Sequence, residues 1–229
     1  MTDLLSIGIL PVALTLFGYQ MGVLCQKKFR LPIFNPILIG MIIVILTLKA
    51  TGLGTDTYQA GVKWISWLMT PATVCLAIPM YEQVQALKKN LKAILVGVSA
   101  GALSCLAMLL LFSLILGFDR NLTVSILPKG ITAAIGVSLT ELFGGTPSIT
   151  TLGISVTGIG GNMFGRQLCR WFGITDEIAQ GVAFGTGSHV IGTAKANEVG
   201  PLCGAVSSLS LVVAGLLTAV LFPVLVNFV

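Results

Sequence analysis

The chain has 229 residues, of which 55% are hydrophobic and only 9% are charged, and its mean hydropathy is +0.98. A water-soluble domain carries about 25% charged residues, so the composition excludes one and points to an all-helical integral membrane protein. The formal net charge of +5 is no sign of nucleic-acid binding, because most basic residues flank apolar runs, where membrane sorting places them.

Taken in order, apolar windows predict about eight hydrophobic segments. Leu4 to Gln26 is the first, closed by Lys27, Lys28 and Arg30. The opening Met1, Thr2 and Asp3 give no basic leader region, so the run is expected to remain as a span. Leu31 to Leu48 follows, interrupted early by Pro32 and by Asn35-Pro36. After a polar connection, Trp64 to Tyr81 is the third, with Trp64 and Trp67 suited to an interface. Pro71 and Pro79 remove backbone donors inside it, which predicts a broken helix. Lys88, Lys89 and Lys92 mark a loop, and Ala93 to Phe118 runs without interruption up to Asp119-Arg120.

The second half repeats this rhythm. Leu122 to Phe143 is interrupted by Pro128-Lys129-Gly130, and Ser148 to Gly165 is glycine-rich and leads to Arg166 and Arg170. Ile178 to Ala194 holds the only histidine, His189, among Gly181, Gly185, Gly187 and Gly192. So many weak helix formers suit close packing or a break inside a membrane, so a discontinuous helix is expected. Val199 to Val229 carries no charge. The Pro71–Pro79 and Gly185–Gly192 breaks lie about 114 residues apart. This suggests two related, inverted repeats, 4–118 and 122–229, within one membrane domain, 1–229, and paired broken segments mark a transporter's binding site. Basic clusters at Lys27–Arg30 and Lys88–Lys92 put the N-terminus outside. Eight simple crossings then leave Arg166 and Arg170 outside, so either one interrupted segment is re-entrant or these arginines override the charge rule.

Lys129 is the sharpest candidate, since a lysine at mid-bilayer costs roughly 2.5–3.5 kcal/mol. Two readings stand: with amides freed at Pro128 and Gly130 it holds an anion, or it snorkels to the headgroups near Asp119-Arg120. His189 suits a carboxylate contact or proton coupling, or a structural hydrogen bond. Ser188, Gly192 and Lys195 fall at helical spacing, so one face is expected to present them together. Thr73, Thr132 and Thr193 are further hydroxyl candidates, with bonding to their own helix as the alternative. Asn35 and Asn162 lie inside apolar segments and either touch ligand or bond across helices. The five cysteines form no CxxC pair, which fits packing rather than metal; no metal site, cofactor or enzyme activity is expected.

In Leu31-Pro-Ile-Phe-Asn-Pro-Ile-Leu38, Pro71-Ala-Thr-Val-Cys-Leu-Ala-Ile-Pro-Met-Tyr-Glu82, Ser125-Ile-Leu-Pro-Lys-Gly-Ile-Thr132 and Gly185-Thr-Gly-Ser-His-Val-Ile-Gly-Thr-Ala-Lys195 the chain resembles the LrgB/CidB family. The motifs occur in family order across nearly the whole chain. One departure is Thr132-Ala-Ala-Ile135, where the family usually reads Thr-Thr-Pro-Ile, which implies a softer helix break. The resemblance implies a multi-pass protein of the bacterial inner membrane, often paired with a small LrgA/CidA-like membrane protein. The family was described as holin/antiholin-like regulators of murein hydrolase activity and lysis. It also resembles the C-terminal half of the plastid glycolate/glycerate transporter, and some members are tied to pyruvate movement.

Together these readings give an elevator-like secondary transporter, expected as a homodimer in the lipid bilayer and moving a small monocarboxylate. Lys129, Thr132, Ser188, His189, Thr73, Thr193, Asn35 and Asn162 would form its site between breaks at Pro71, Pro79, Pro128, Gly130, Gly187 and Gly192. The alternative is a holin/antiholin-like regulator acting with the small partner.

Overall fold

Backbone groups in lipid must be satisfied within the protein, which leaves helices as the local solution for these apolar runs. The computed structural model describes residues 2–29 and 31–228, excepting the side chains of residues 2–7, Pro32, Met69 and Thr73. Only helices and turns occur among the described residues. Four helices are long and apolar enough to cross a membrane: Gly8–Phe29, Thr55–Glu82, Val84–Leu116 and Pro201–Val226. The chain divides into two compact units, 1–75 and 76–229, and each is described by itself.

The first unit contains α1 (Thr2–Phe29), a 3₁₀ turn (Pro32–Phe34), α2 (Pro36–Thr51), α3 (Thr55–Trp67) and α4 (Met69–Cys75). Asn35 starts α2: its side chain accepts from the amides of Ile37 at 2.9 Å and Leu38 at 3.4 Å, and Pro36 follows at the first helical position, where its missing N–H costs nothing. The helix ends at Gly52 in the left-handed region. α1 and α2 pack antiparallel through backbone contact, because a Cβ on Gly22 would lie 2.6 Å from the Pro36 carbonyl and one on Gly18 3.1 Å from that of Gly40. This is the close approach that a GxxxG spacing permits. A 2.7 Å bond between the Thr15 and Tyr58 hydroxyls ties α1 to α3.

The second unit contains α5 (Ala77–Glu82), α6 (Val84–Leu116), α7 (Arg120–Ile126), a 3₁₀ turn (Leu127–Gly130), α8 (Ala133–Leu142), α9 (Pro147–Trp171), α10 (Glu177–Val199) and α11 (Pro201–Val226). α6 and α11 run the full depth of the unit in the same direction. At one end Leu87 and Ile94 cluster with Ala205 and Val206; at the other Leu106 and Leu109 cluster with Phe222 and Val226.

Two of the predicted segments fold back on themselves within the second unit. The first is Leu122 to Phe143. Here α7 and its 3₁₀ turn run inward, the backbone extends at Ile131 and Thr132, and α8 runs back. The ends meet, because the Asn121 side-chain amide donates to the Gly144 carbonyl at 2.9 Å and its oxygen accepts from the Thr146 hydroxyl at 2.8 Å. Between the arms and α9, Thr140 and Thr150 share a 2.7 Å bond and Thr150 reaches the Ser125 carbonyl at 2.8 Å.

The second is Ile178 to Ala194, for which one discontinuous helix was expected. Within α10 the backbone leaves helical geometry at His189, with φ 41° and ψ −135°, and the chain folds back on itself. A straight helix of 23 residues would hold its ends about 35 Å apart, yet a Cβ on Gly200 would lie 3.1 Å from the Glu177 carboxylate. Phe184 from the inward arm packs with Ala196 from the returning arm and with Cys203 of α11. The turn also breaks the helix between Ser188 and Lys195, so the single helical face expected for Ser188, Gly192 and Lys195 does not form, although Ser188 and Gly192 meet across the turn. The reversal requires glycine at 192, where a Cβ would meet Ser188 Cβ at 2.5 Å and the Phe184 carbonyl at 2.7 Å.

Gly192→Ala is therefore expected to destabilise the protein by about 1–3 kcal/mol through overpacking, lowering its unfolding temperature in detergent. Gly187→Ala, whose Cβ meets nothing within 4 Å, should leave that temperature nearly unchanged.

Candidate functional site

The site forms where the two folded-back segments meet against the middle of α9. Side-chain contacts fix the register: Gly145 and Thr146 lie beside Ser125, a Cβ on Gly153 would lie 3.2 Å from the Lys129 Cβ, and the Thr157 hydroxyl lies 3.1 Å from the Lys129 carbonyl. α9 thus runs alongside the inward arm as far as its tip and continues beyond it to Trp171. Along that second stretch α10 packs antiparallel, with Phe184 on Gly165, Ser188 on Gly161 and His189 on Gly158. The Pro128-Lys129-Gly130 tip and the Ser188-His189 tip therefore approach one point on α9 from opposite ends.

Thr157 is that point. Its hydroxyl lies 3.2 Å from His189 Nε2, 3.1 Å from the Lys129 carbonyl, and 2.9 and 3.0 Å from the carbonyls of Gly153 and Ile154. Its single hydrogen is shared among these carbonyls, and in the tautomer with hydrogen on Nε2 the His189 ring donates to its oxygen, so one side chain touches both tips. Thr157 was not singled out from sequence, because a hydroxyl in an apolar helix defaults to bonding its own backbone.

Lys129 is half-buried and lays its stem on Gly153. Among the described residues its ammonium makes no ion pair, in contrast to Lys195, which is 2.5 Å from Glu198. His189 and Ser188 are buried. Thr132 precedes α8 half-buried, and its side chain makes no capping bond. Thr193 donates to the His189 carbonyl at 2.9 Å and shares a 2.8 Å bond with Ser207, which anchors the returning arm to α11. Asn162 donates to the Ile191 carbonyl at 3.0 Å, which ties α9 to the start of the returning arm. Lys129, Thr132, Ser188, His189, Thr193 and Asn162 thus belong to one neighbourhood of the second unit.

Asn35 lies in the first unit, where it caps α2. Thr73 falls in α4 of that unit, and its side chain lies outside the described residues. Of the anticipated breaks, Pro71 and Pro79 occupy the third positions of α4 and α5, just after helix boundaries, as expected where a carbonyl loses its donor. Pro128 and Gly130 form the first tip, and Gly187 and Gly192 flank the turn at His189.

Beyond the junction, a groove of about 400 Å³ lies between α9 and the inward arm of α10. Thr157, Gly161, Gly187 and Ser188 line its inner end, Gly165 and Phe184 its middle, and Cys169 and Phe172 its outer end.

The LrgB-like family matches residues 15–228 of this chain. The chain is 35% identical over 219 residues to the holin-like protein CidB of Staphylococcus epidermidis, covering 96% of each. It is 33% identical over 219 residues to the holin-like protein CidB of Staphylococcus aureus, again covering 96% of each. Its identity to the uncharacterized protein YxaC of Bacillus subtilis is 35% over 222 residues, at the same coverage. No solved structure matches. With its apolar helices, these relatives make the chain a multi-pass membrane protein.

The positive φ of His189 is the only one outside glycine among the described residues, and such geometry costs on the order of 1–3 kcal/mol. His189→Ala keeps that strain and loses the bond to Thr157, whereas His189→Gly loses the bond but relieves the strain. The glycine variant is expected to unfold at the higher temperature of the two, by about 1 kcal/mol or more; equal stabilities would show that the turn is unstrained.

Proposed function

The chain belongs to the LrgB-like family, and from that premise we propose that it is a holin/antiholin-like regulator of murein hydrolase activity and cell lysis. In this reading it acts in the bacterial inner membrane with a small LrgA/CidA-like partner. The observation that carries it is the near full-length likeness to proteins named holin-like. It is a non-enzymatic role: the protein changes what crosses the membrane.

One geometric observation favours a second reading. An unpaired ammonium in an apolar unit is costly unless something compensates it, and Lys129 faces a second folded-back segment with a hydroxyl and an imidazole at its tip. That arrangement suits a small monocarboxylate such as glycolate, glycerate or pyruvate. Lys129 would bind the carboxylate, Ser188 and His189 its second oxygen, and Thr132 would complete the shell. Thr193 and Asn162 stay with this reading as outer candidates. Transport would proceed by alternating access between two related halves, 4–118 and 122–229, in a homodimer.

Purified protein in liposomes separates the two. The regulator reading predicts release of a trapped dye, strengthened or suppressed by the small partner and unchanged by Lys129→Met. The transporter reading predicts saturable uptake of a labelled monocarboxylate without dye release, lost by at least tenfold in Lys129→Met. Dye release that vanishes with the partner present would identify an antiholin-like pairing.

A further inference from the structure

The register of the second unit assigns each of its elements an end. Call the end holding Lys88, Lys89 and Lys92 the basic end. α6 starts there and reaches the other end at Ser113, which bonds the Thr123 hydroxyl. The first hairpin, 120–145, starts and finishes at that second end. α9 begins beside it at Thr146 and runs to the basic end, where Arg166 and Arg170 fall. The second hairpin, 177–199, starts and finishes at the basic end, and α11 returns from there to Phe222, which meets Phe143 with ring centroids 5.4 Å apart.

Lengths agree with half-depth insertion. The arms of the first hairpin have 7 residues plus a 4-residue 3₁₀ turn, and 10 residues, or roughly 18 and 15 Å. Both fall well short of an apolar core about 30 Å thick. α9, with 25 residues, spans about 37 Å.

We infer that the two hairpins are opposed half-membrane plugs: 120–145 enters from the outer face and 177–199 from the cytoplasmic face. Their junction at Thr157 is the barrier, and it is approached from the cytoplasm along the groove between α9 and the inward arm of α10. Charge fixes the orientation. The basic end carries Lys88, Lys89, Lys92, Arg166 and Arg170 against Arg120 alone at the other, so it faces the cytoplasm. This removes the conflict left by eight simple crossings, since a re-entrant first hairpin returns Arg166 and Arg170 to the side of Lys88. The groove follows α9 from Thr157 to Phe172, about 22 Å of helix, and so ends on the basic face. The inference holds whichever cargo or activity the junction serves.

Single cysteines in a cysteine-free chain test it, labelled by a membrane-impermeant charged maleimide in right-side-out and inside-out vesicles. Arg120→Cys and Glu141→Cys should both react in right-side-out vesicles, and Arg166→Cys and Glu198→Cys only in inside-out ones. Gly187→Cys, exposed near the inner end of the groove beside Ser188, should react only from inside. Arg120 and Glu141 reacting on opposite faces would overturn the first hairpin, as Arg166 and Glu198 on opposite faces would the second. No reaction at Gly187 from either side would place the groove in lipid and overturn the access route. Should the cysteine-free chain fail to fold, a protease site inserted at the Gly173 turn of the otherwise native chain gives the same decision. Cleavage only in inside-out vesicles supports the orientation, and cleavage only in right-side-out vesicles refutes it.

Discussion

The second unit depends on one constraint: a chain that reverses inside an apolar medium must satisfy the backbone groups that the reversal frees. At the first tip the Thr157 hydroxyl donates to the Lys129 carbonyl, and just past the second tip the Asn162 amide donates to the Ile191 carbonyl and holds the returning arm. Both come from α9, five residues apart, so a single helix contacts the two folded-back segments. Without its donor the Lys129 carbonyl at the first tip would be left unpaired, at about 1–3 kcal/mol.

Packing follows from the same requirement. In lipid, helices gain little from burying apolar surface, and close van der Waals contact takes over. The glycines are placed for that purpose: Gly158, Gly161 and Gly165 let α10 lie on α9, while Gly181 and Gly185 let α11 lie on the opposite side of the inward arm. The arm is thereby held between two helices by backbone approach, and its tip is fixed against Thr157. The function of the junction rests on this placement, because a side chain on any of these glycines would move His189 away from Lys129.

Much of this was legible in the sequence. Pro128-Lys129-Gly130 and the glycine-rich stretch around His189 announced interruptions, and Arg166 and Arg170 left two readings open, a re-entrant segment or an override of the charge rule. What the sequence could not give was the reversal at His189. Hydropathy and helical spacing are local, and an apolar run of some twenty residues satisfies them equally as one span or as two half-depth arms. The positive φ falls on histidine rather than on Gly187 or Gly192, and only the contacts of Gly192 with Phe184 and of His189 with Thr157 select that position. Asn35 likewise read as an intramembrane polar group, whereas the Asn-Pro pair is a helix start whose meaning lies in the two amides it caps.

Either proposed activity needs the same physical event, which is the parting of two tips held at Thr157. Interhelical hydrogen bonds in membranes are worth about 0.6 kcal/mol on average and up to about 1.7. The bonds of Thr157 to Lys129 and His189 therefore add on the order of 1–3 kcal/mol to the closed arrangement, a gap that a ligand or partner can bias by differential binding. The strain at His189 acts in the opposite sense, since it is stored only while the reversal is tight. A junction balanced in this way remains shut by a small margin, as a permeability regulator requires and as an alternating-access site requires. The identity of the group that tips the balance, a carboxylate at Lys129 or a partner helix, is what separates one activity from the other.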